Sequence, residues 1–198
     1  MGRYAAGFTV ALLLWLNLAS APAPKPAKPL SLPPFADLSG KRHILVTDQK
    51  PSTTVFVFLA TDCPVASRTA PGIARLAKRY AKRGVRFFAV YPNELESDDG
   101  VLRHARDRGL LTALPVVRDA SGNLTRTLGA GFTPEAVLVS ANGAVLYRGN
   151  VESLVVPLDA SLSGKPVRVT KTGVAGCALR LAARVGPPSP APRSLRRE

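Results

Sequence analysis

The sequence "TVFVFLATDCPVASRTAP", residues 54–71, joins a short apolar run to the start of a helix through a single cysteine. The run Thr54–Ala60 is β-branched and aromatic, which is typical of a central strand covered on both faces. Pro64 suits the first position of a helix, and apolar residues then recur at helical spacing up to Tyr80. Gly84 is the expected stop of that helix.

The next segments repeat this alternation of strand and helix. "VRFFAVYP", residues 85–92, predicts a second buried strand. "SDDGVLRHARDRG", residues 97–109, predicts a helix with Ser97 as its capping residue and acidic residues near the positive end of the dipole. The simplest interpretation is a βαβ unit with a parallel strand pair.

The second half of the chain predicts shorter elements. "LPVVRD" (114–119) indicates a strand and "GNLTRTLGA" (122–130) a short helix. "EAVLVSANGAVLYRG" (135–149) indicates two strands joined at Asn142-Gly143, the strongest short-range signal for a hairpin. A last helix is expected up to Val156, where Pro157 should break or kink it.

Composition divides the 198 residues into four segments. Residues 1–21 carry one arginine, an apolar stretch and small residues, which predicts a cleaved signal peptide and hence export to a periplasmic or extracellular location. Residues 22–34 are a Pro-rich linker and residues 184–198 a Pro/Arg-rich, disordered tail. Residues 35–183 are then the single folded domain, with no membrane span after signal cleavage.

Basic residues dominate the chain, whose net charge is +14. Residues 35–183 contain 20 basic and 12 acidic residues. Six of the basic ones lie on the first predicted helix without acidic neighbours, namely Arg68, Arg75, Lys78, Arg79, Lys82 and Arg83. No aromatic residues alternate with them as a nucleic-acid surface requires, so we interpret them as a solvated helix face and expect no nucleic-acid partner.

Taken in order, these segments resemble the thioredoxin-like superfamily, in the redoxin branch that includes peroxiredoxins and the exported thioredoxins of cytochrome maturation. The resemblance covers about Val55–Asn150 and rests on "FLATDC", the pair Ala70-Pro71, "VRFFAVYP" and "GFTPEAVLVSANGAVLYRG". It implies an α/β protein of thioredoxin-like fold, with a central mixed β-sheet flanked by helices. It also implies that Thr133-Pro134 is the family's cis-proline position, which can present backbone groups to a bound partner.

Cys63 is the candidate nucleophile. Its sulfur should lie at the N-terminus of a helix, where unpaired N–H groups and the dipole favour the thiolate. We therefore expect an accessible and ionised sulfur at a strand-to-helix junction. Ligand-binding and catalytic residues commonly lie at such junctions in open α/β sheets. The structural alternative is a free cysteine that acts as a small buried hydrophobic residue.

The sequence departs from the redoxin pattern in two places. The resolving cysteine of a C-x-x-C motif would fall on Ala66, and the threonine or serine expected of a peroxiredoxin would fall on Ala60. Cys177 is the only other cysteine. It is either the resolving thiol for Cys63 or its partner in a static disulfide, and the sequence leaves both open.

The remaining candidate groups are charged. Arg68 and Arg148 could stabilise a thiolate, although a solvated role is the commoner one for surface arginines. Asp62 beside the sulfur would oppose ionisation. His43 and His104 lack metal-ligand spacing with other residues, so we expect neither a metal site nor a cofactor.

These observations predict an exported thiol-based oxidoreductase that exchanges disulfides with a protein partner. Cys63 and Cys177 are its predicted catalytic residues, and Thr133, Pro134 and Arg68 its predicted substrate contacts. One alternative is a thiol peroxidase acting on a peroxide, and another is a non-catalytic binding module with the redoxin fold. A copper carrier is disfavoured, because two distant soft ligands without a nearby histidine make a weak site.

Overall fold

The computed structural model describes residue 30, residues 32–45 and residues 53–183. The predicted signal peptide, the tail and most of the Pro-rich linker lie outside these residues. Of the linker, Leu30 donates its N–H to the carbonyl of Gly143 at 2.9 Å and Leu32 is buried. The chain is therefore already packed against the folded body at residue 30.

The strands of the described residues are numbered in chain order: β1 (Phe35–Ala36), β2 (Arg42–His43), β3 (Thr54–Phe58), β4 (Arg86–Tyr91), β5 (Val116–Arg118), β6 (Phe132–Thr133), β7 (Glu135–Val139), β8 (Val145–Gly149) and β9 (Cys177–Ala178). The helices are α1 (Pro64–Ala81), α2 (Asp98–Asp107), α3 (Asn123–Leu128) and α4 (Val155–Leu162), with a 3-10 turn at Glu152–Leu154 just before α4.

A five-stranded mixed sheet in the order β5-β4-β3-β7-β8 forms the centre of the molecule. β3 is parallel to β4 and antiparallel to β7, and β7 and β8 form the predicted hairpin. Every residue of β3 is buried. Val55 and Val57 pack in one core cluster and Phe56 and Phe58 in another, as expected of a strand covered on both faces. The predicted βαβ unit and mixed sheet are thus confirmed.

Helix α1 follows β3 and buries Ile73, Ala77 and Tyr80 against the sheet while its basic residues face outward. Arg83, just past the end of α1, does have an acidic partner, although none lies near it in the sequence. Its guanidinium pairs with Asp159 of α4 and also lies over the ring of Tyr80. This pairing joins the turn after α1 to α4, far away in the sequence, so the residues around Arg83 could not reveal it.

The prediction that the last helix reaches only Val156 is wrong, because α4 continues through Pro157 to Leu162. Pro157 is the third residue of α4, in the first turn, where backbone N–H groups have no partner within the helix. Proline therefore costs no hydrogen bond there. Among the described residues, no helix combines the length and the apolar character needed to cross a membrane.

Two short strand pairs lie apart from the central sheet. β1 and β2 form one antiparallel pair. β6, directly before the hairpin, pairs antiparallel with β9 from the end of the described chain. The second pair brings residues 177–178 back across the molecule to the end of β3 and the start of α1, where Cys63 lies.

Candidate active site

Cys63 occupies the N-cap position of α1, between the end of β3 and the first helical residue, Pro64. Its backbone is extended, with φ −90° and ψ 114°, and its carbonyl accepts the first helical bond from the N–H of Ser67 at 3.0 Å. The first turn contains no acidic residue. The predicted placement of the sulfur at the positive end of a helix dipole is therefore confirmed.

Cys63 and Cys177 form a disulfide across 114 residues of sequence, with their Cα atoms 6.1 Å apart. This distance lies within the usual range for a disulfide. The pairing of Cys177 with Cys63, which both interpretations of the sequence require, is therefore present in this structure.

The Thr133-Pro134 peptide bond is cis. Thr133 is fully buried and pairs with Cys177 in the β6–β9 ladder. The carbonyl oxygen of Thr133 lies 3.4 Å from the sulfur of Cys63. The resemblance to the redoxin branch thus pointed to Thr133-Pro134, and this segment does lie against the Cys63 sulfur. That it contacts a substrate stays a prediction.

The expectation of an accessible Cys63 sulfur is wrong for this disulfide-bonded form. Cys63 is only 1% exposed, since it packs among the residues of the main core cluster and is covered by its bonded partner. Cys177 is partly exposed, and its neighbours Gly176 and Ala178 are exposed. Of the two cysteines, Cys177 is therefore the more exposed.

The C-terminal segment that carries Cys177, defined here as residues 170–182, is held along its length. Its first part lies beside β8, where Arg148 donates its N–H to the carbonyl of Thr170 and Thr172 donates its N–H to the carbonyl of Arg148. The hydroxyl of Thr172 also lies 2.6 Å from that of Tyr147. The segment is thus an ordered part of the site.

Past Cys177, the same segment crosses the molecule. Leu179 donates its N–H to the carbonyl of Gly131 at 3.0 Å. Arg180 donates its N–H to the Oδ1 of Asn93 at 2.8 Å, and its carbonyl accepts the N–H of Glu94 at 2.9 Å. The guanidinium of Arg180 pairs with the carboxylate of Asp62, directly before Cys63. The negative charge expected to oppose ionisation of Cys63 therefore has a cationic partner here.

The two predicted arginines lie in different places. Arg68 is exposed and lines a surface depression with Asp62, Cys63 and Arg108. The guanidinium of Arg148 donates a hydrogen bond to the carbonyl of Leu128, and its backbone bonds to Thr170 and Thr172. The structure therefore brings Arg68 to the rim of the cysteine site and directs Arg148 elsewhere.

Two residues near the site were not singled out from the sequence as candidates for it. Glu96 accepts the N–H of Thr61 at 2.6 Å, in the loop that leads to Cys63, and burial raises the pKa of Glu96. His104 lies between the hydroxyls of Ser67 and Tyr91, at 3.0 and 2.9 Å. Burial lowers the pKa of His104. Neither has a local sequence signal, because each acts through contacts with distant segments.

Comparison with solved structures supports the fold. A hypothetical protein from Sinorhizobium meliloti superposes with a TM-score of 0.70 at 21% identity, over 80% of this chain and 96% of that one. An uncharacterized conserved protein from Geobacillus kaustophilus has a TM-score of 0.67 at 25% identity, over 78% and 93%. A candidate thiol:disulfide interchange protein DsbE from Chlorobium tepidum has a TM-score of 0.59 at 19% identity, over 70% and 98%.

No curated protein matches the sequence. The redoxin family model matches residues 26–162, which is more than half of the chain and includes Cys63 and Thr133-Pro134. Cys177 lies beyond the matched region. By this match and by its thioredoxin-like architecture, the chain belongs to the redoxin family.

Proposed function

We propose that the chain is an exported thiol-disulfide oxidoreductase, with Cys63 as its nucleophile and Cys177 as its resolving thiol. The single observation that carries the proposal is the disulfide between the N-cap residue of α1 and a cysteine paired with Thr133. A helix N-terminus favours the thiolate, and a low thiol pKa makes a good leaving group in thiol exchange.

The reaction begins with the reduced protein. The Cys63 thiolate attacks one sulfur of a substrate disulfide, forms a mixed disulfide and releases the other substrate sulfur as a thiolate. The Cys177 thiolate then attacks the Cys63 sulfur, which forms the Cys63–Cys177 bond and releases the second substrate thiolate. The substrate gains two electrons and the cysteine pair loses two, while solvent supplies the protons for the released thiolates.

A dithiol reductant would regenerate the reduced pair by starting at Cys177. Cys177 is the more exposed of the two cysteines, and attack on its sulfur expels Cys63 as a thiolate at the helix N-terminus. The second thiol of the reductant then attacks the mixed disulfide at its own first sulfur, which releases Cys177 as a thiolate and leaves the reductant oxidised. Burial of Cys63 is compatible with this direction of attack.

Export is part of the proposal. It rests on the predicted signal peptide at residues 1–21 and on a disulfide, a bond that persists in oxidising compartments. We propose residues 35–183 as the functional domain, between a Pro-rich linker at 22–34 and a tail at 184–198. Expression with and without residues 1–21, followed by cell fractionation, tests the location.

The experiment is a turnover assay with a protein disulfide, such as insulin, and a dithiol reductant. The wild-type chain is expected to accelerate reduction, the Cys63→Ser variant to lose this activity, and the Cys177→Ser variant to accumulate a mixed disulfide at Cys63. Ser140→Ala, in the β7–β8 turn and away from the cysteines, is the matched control. An active Cys63→Ser variant would overturn the proposal.

Two other functions remain to be separated by the same variants. Hydrogen peroxide would oxidise a peroxidatic Cys63 to sulfenic acid, which Cys177 would resolve with release of water. Catalytic peroxide consumption that exceeds disulfide exchange would favour the peroxidase. Partner binding that is unchanged in Cys63→Ser, together with no turnover, would favour the non-catalytic module.

A further inference from the structure

The residues around Cys177 pair with the rest of the protein in the way that a bound peptide strand pairs with its receptor. Cys177–Ala178 pairs antiparallel with Phe132–Thr133, and Leu179 extends the contact to Gly131. This short ladder is separate from the central sheet. Strand addition of this kind is a common way to recognise an extended peptide, with backbone bonds for affinity and side-chain positions for specificity.

The position before Cys177 admits only glycine. A Cβ atom built on Gly176 would lie 2.0 Å from the carbonyl oxygen of Thr133 and 3.2 Å from the Cδ of Pro134. The closest atom belongs to the backbone of Thr133, which is fully buried, so it cannot move aside as a flexible side chain would. A strand seated in the same way must therefore carry glycine immediately before its cysteine.

The three positions after Cys177 differ in the kind of side chain that they accept. Ala178 is exposed, so this position imposes no size limit. Leu179 is half-buried against the core cluster that contains Phe56 and Phe58, so this position favours an apolar side chain. Arg180 pairs with Asp62, and its backbone bonds to Asn93 and Glu94 fix the strand further. A basic residue three positions after the cysteine therefore complements the acidic residue beside Cys63.

We infer that residues Gly176–Arg180 occupy the docking surface of the substrate, which is an extended polypeptide of the pattern Gly-Cys-any-apolar-basic with its cysteine in a disulfide. The inference rests on the proposed function, since it names the substrate of the same cysteine. The docking surface consists of Gly131–Thr133, Pro134, Asp62 and Asn93. In the reduced protein, the C-terminal segment vacates this surface and the substrate strand replaces it.

Release of the substrate follows from the same geometry. After Cys63 has attacked the substrate cysteine, the substrate strand and Gly176–Arg180 compete for Thr133. Attack of Cys177 on the Cys63 sulfur forms the disulfide seen here, and the substrate cysteine departs as a thiolate. Resolution of the mixed disulfide and displacement of the strand are then one event.

The test measures how fast the reduced Cys177→Ser chain captures synthetic peptides. The reference peptide, Val-Ala-Gly-Cys-Ala-Leu-Arg, carries a thionitrobenzoate disulfide on its cysteine, so attack by Cys63 releases a coloured thiolate and leaves the peptide bonded to Cys63. A second peptide replaces glycine with alanine and a third replaces arginine with glutamate. We expect the alanine peptide to react at least about tenfold more slowly, because the extra carbon has no space. The glutamate peptide should react about two- to fivefold more slowly, because its ion pair with Asp62 is lost at an exposed site.

Equal rates for the glycine and alanine peptides, with fast capture of both, would overturn the docking inference and leave the proposed function intact. If Cys63 reacts neither with the peptides nor with the symmetric disulfide of thionitrobenzoate, both the docking inference and the proposed function are overturned.

A second measurement uses the chain with both cysteines and does not depend on the Cys177→Ser variant. Gly176→Ala should shift the equilibrium between the Cys63–Cys177 disulfide and dithiothreitol at least about tenfold towards the reduced pair. Gly173→Ala is the matched control, since a Cβ atom there meets nothing within 4 Å. Equal equilibria for the two variants would overturn the inference.

Discussion

The guanidinium of Arg180 pairs with the carboxylate of Asp62, the residue that directly precedes Cys63. The side chains of both are about half exposed. The pair therefore connects the end of the C-terminal segment to the loop that carries the proposed nucleophile, at the surface of the molecule.

Arg180→Ala should make the Cys63–Cys177 disulfide easier to reduce. The pair is exposed and therefore weak, so the equilibrium with dithiothreitol should move by only about two- to fivefold towards the reduced pair. The shift should diminish at high salt, since exposed charges are screened. Arg180→Lys should retain most of the wild-type equilibrium. A salt-independent shift would show that the pair does not act through charge.

Asp37 should make the fold sensitive to acid. Burial alone would raise the pKa of Asp37, but hydrogen bonds from Ser39, His43 and Lys41 outweigh it and lower the pKa from 3.8 to about 2. A lowered carboxyl pKa contributes stability that is present above the unfolded value and is lost as pH falls through the folded one. The contribution is about 2 kcal/mol at neutral pH.

Urea unfolding of wild type and Asp37→Asn at a series of pH values measures this contribution. The difference between their free energies of unfolding should be largest above pH 4 and should shrink between about pH 4 and pH 2. A difference that stays constant over this range would show that folding does not lower the pKa of Asp37.

Glu96 should have the opposite effect on stability. Burial raises the pKa of Glu96, although the N–H of Thr61 and the charge of Arg118 favour the carboxylate, and its second oxygen is buried without a hydrogen-bond partner. A carboxyl whose folded pKa is raised destabilises the fold once it is ionised, that is, as pH rises through that pKa.

Glu96→Gln keeps an oxygen for Thr61 and removes the charge. The variant should therefore gain stability relative to wild type as pH rises from 4 to 7, measured by urea unfolding at each pH. Leu95→Ala, at the exposed neighbour of Glu96, is the comparison variant and should show no such pH-dependent gain. A stability difference that does not change with pH would contradict the buried charge as the cause.

Arg118 should stabilise the loop that holds the C-terminal segment. Its guanidinium donates hydrogen bonds to the carbonyls of Tyr91, Asn93 and Glu96, and Asn93 in turn accepts the N–H of Arg180. Lysine cannot reproduce this fork of donors. Arg118→Lys should lower the free energy of unfolding by about 2 kcal/mol and make the disulfide easier to reduce.

Thermal or urea unfolding measures the first effect of Arg118→Lys, and equilibration with dithiothreitol measures the second. Arg103→Lys, exposed on α2, should change neither. A destabilised variant with an unchanged disulfide equilibrium would show that the loop does not support the segment.

Much of the fold could be predicted because its signals are local. The apolar run of β3, the Cys63-Pro64 junction and the Asn142-Gly143 turn each specify structure within a few residues. The site was only partly predictable. Thr133-Pro134 was located through its resemblance to a known position, whereas the placement of Gly176 and Arg180 depends on backbone contacts with segments more than 40 residues away.

The burial of Cys63 could not be predicted for the same reason. A helix N-terminus beside a sheet is commonly open, whereas here Cys63 packs in the core and the returning residues 176–180 pair beside it. The sequence does show glycine directly before Cys177, but the steric role of that glycine depends on the position of the Thr133 carbonyl. Long-range pairing of a short strand leaves no periodic pattern to detect.

The central claim is that the Cys63–Cys177 bond opens and closes as part of the reaction. Equilibration of the wild-type chain at graded redox potentials, followed by thiol trapping and mass spectrometry, tests it most directly. We predict a midpoint above about −300 mV, in the range of exchanging pairs. A bond that stays closed well below about −300 mV would contradict the claim and identify a static cross-link.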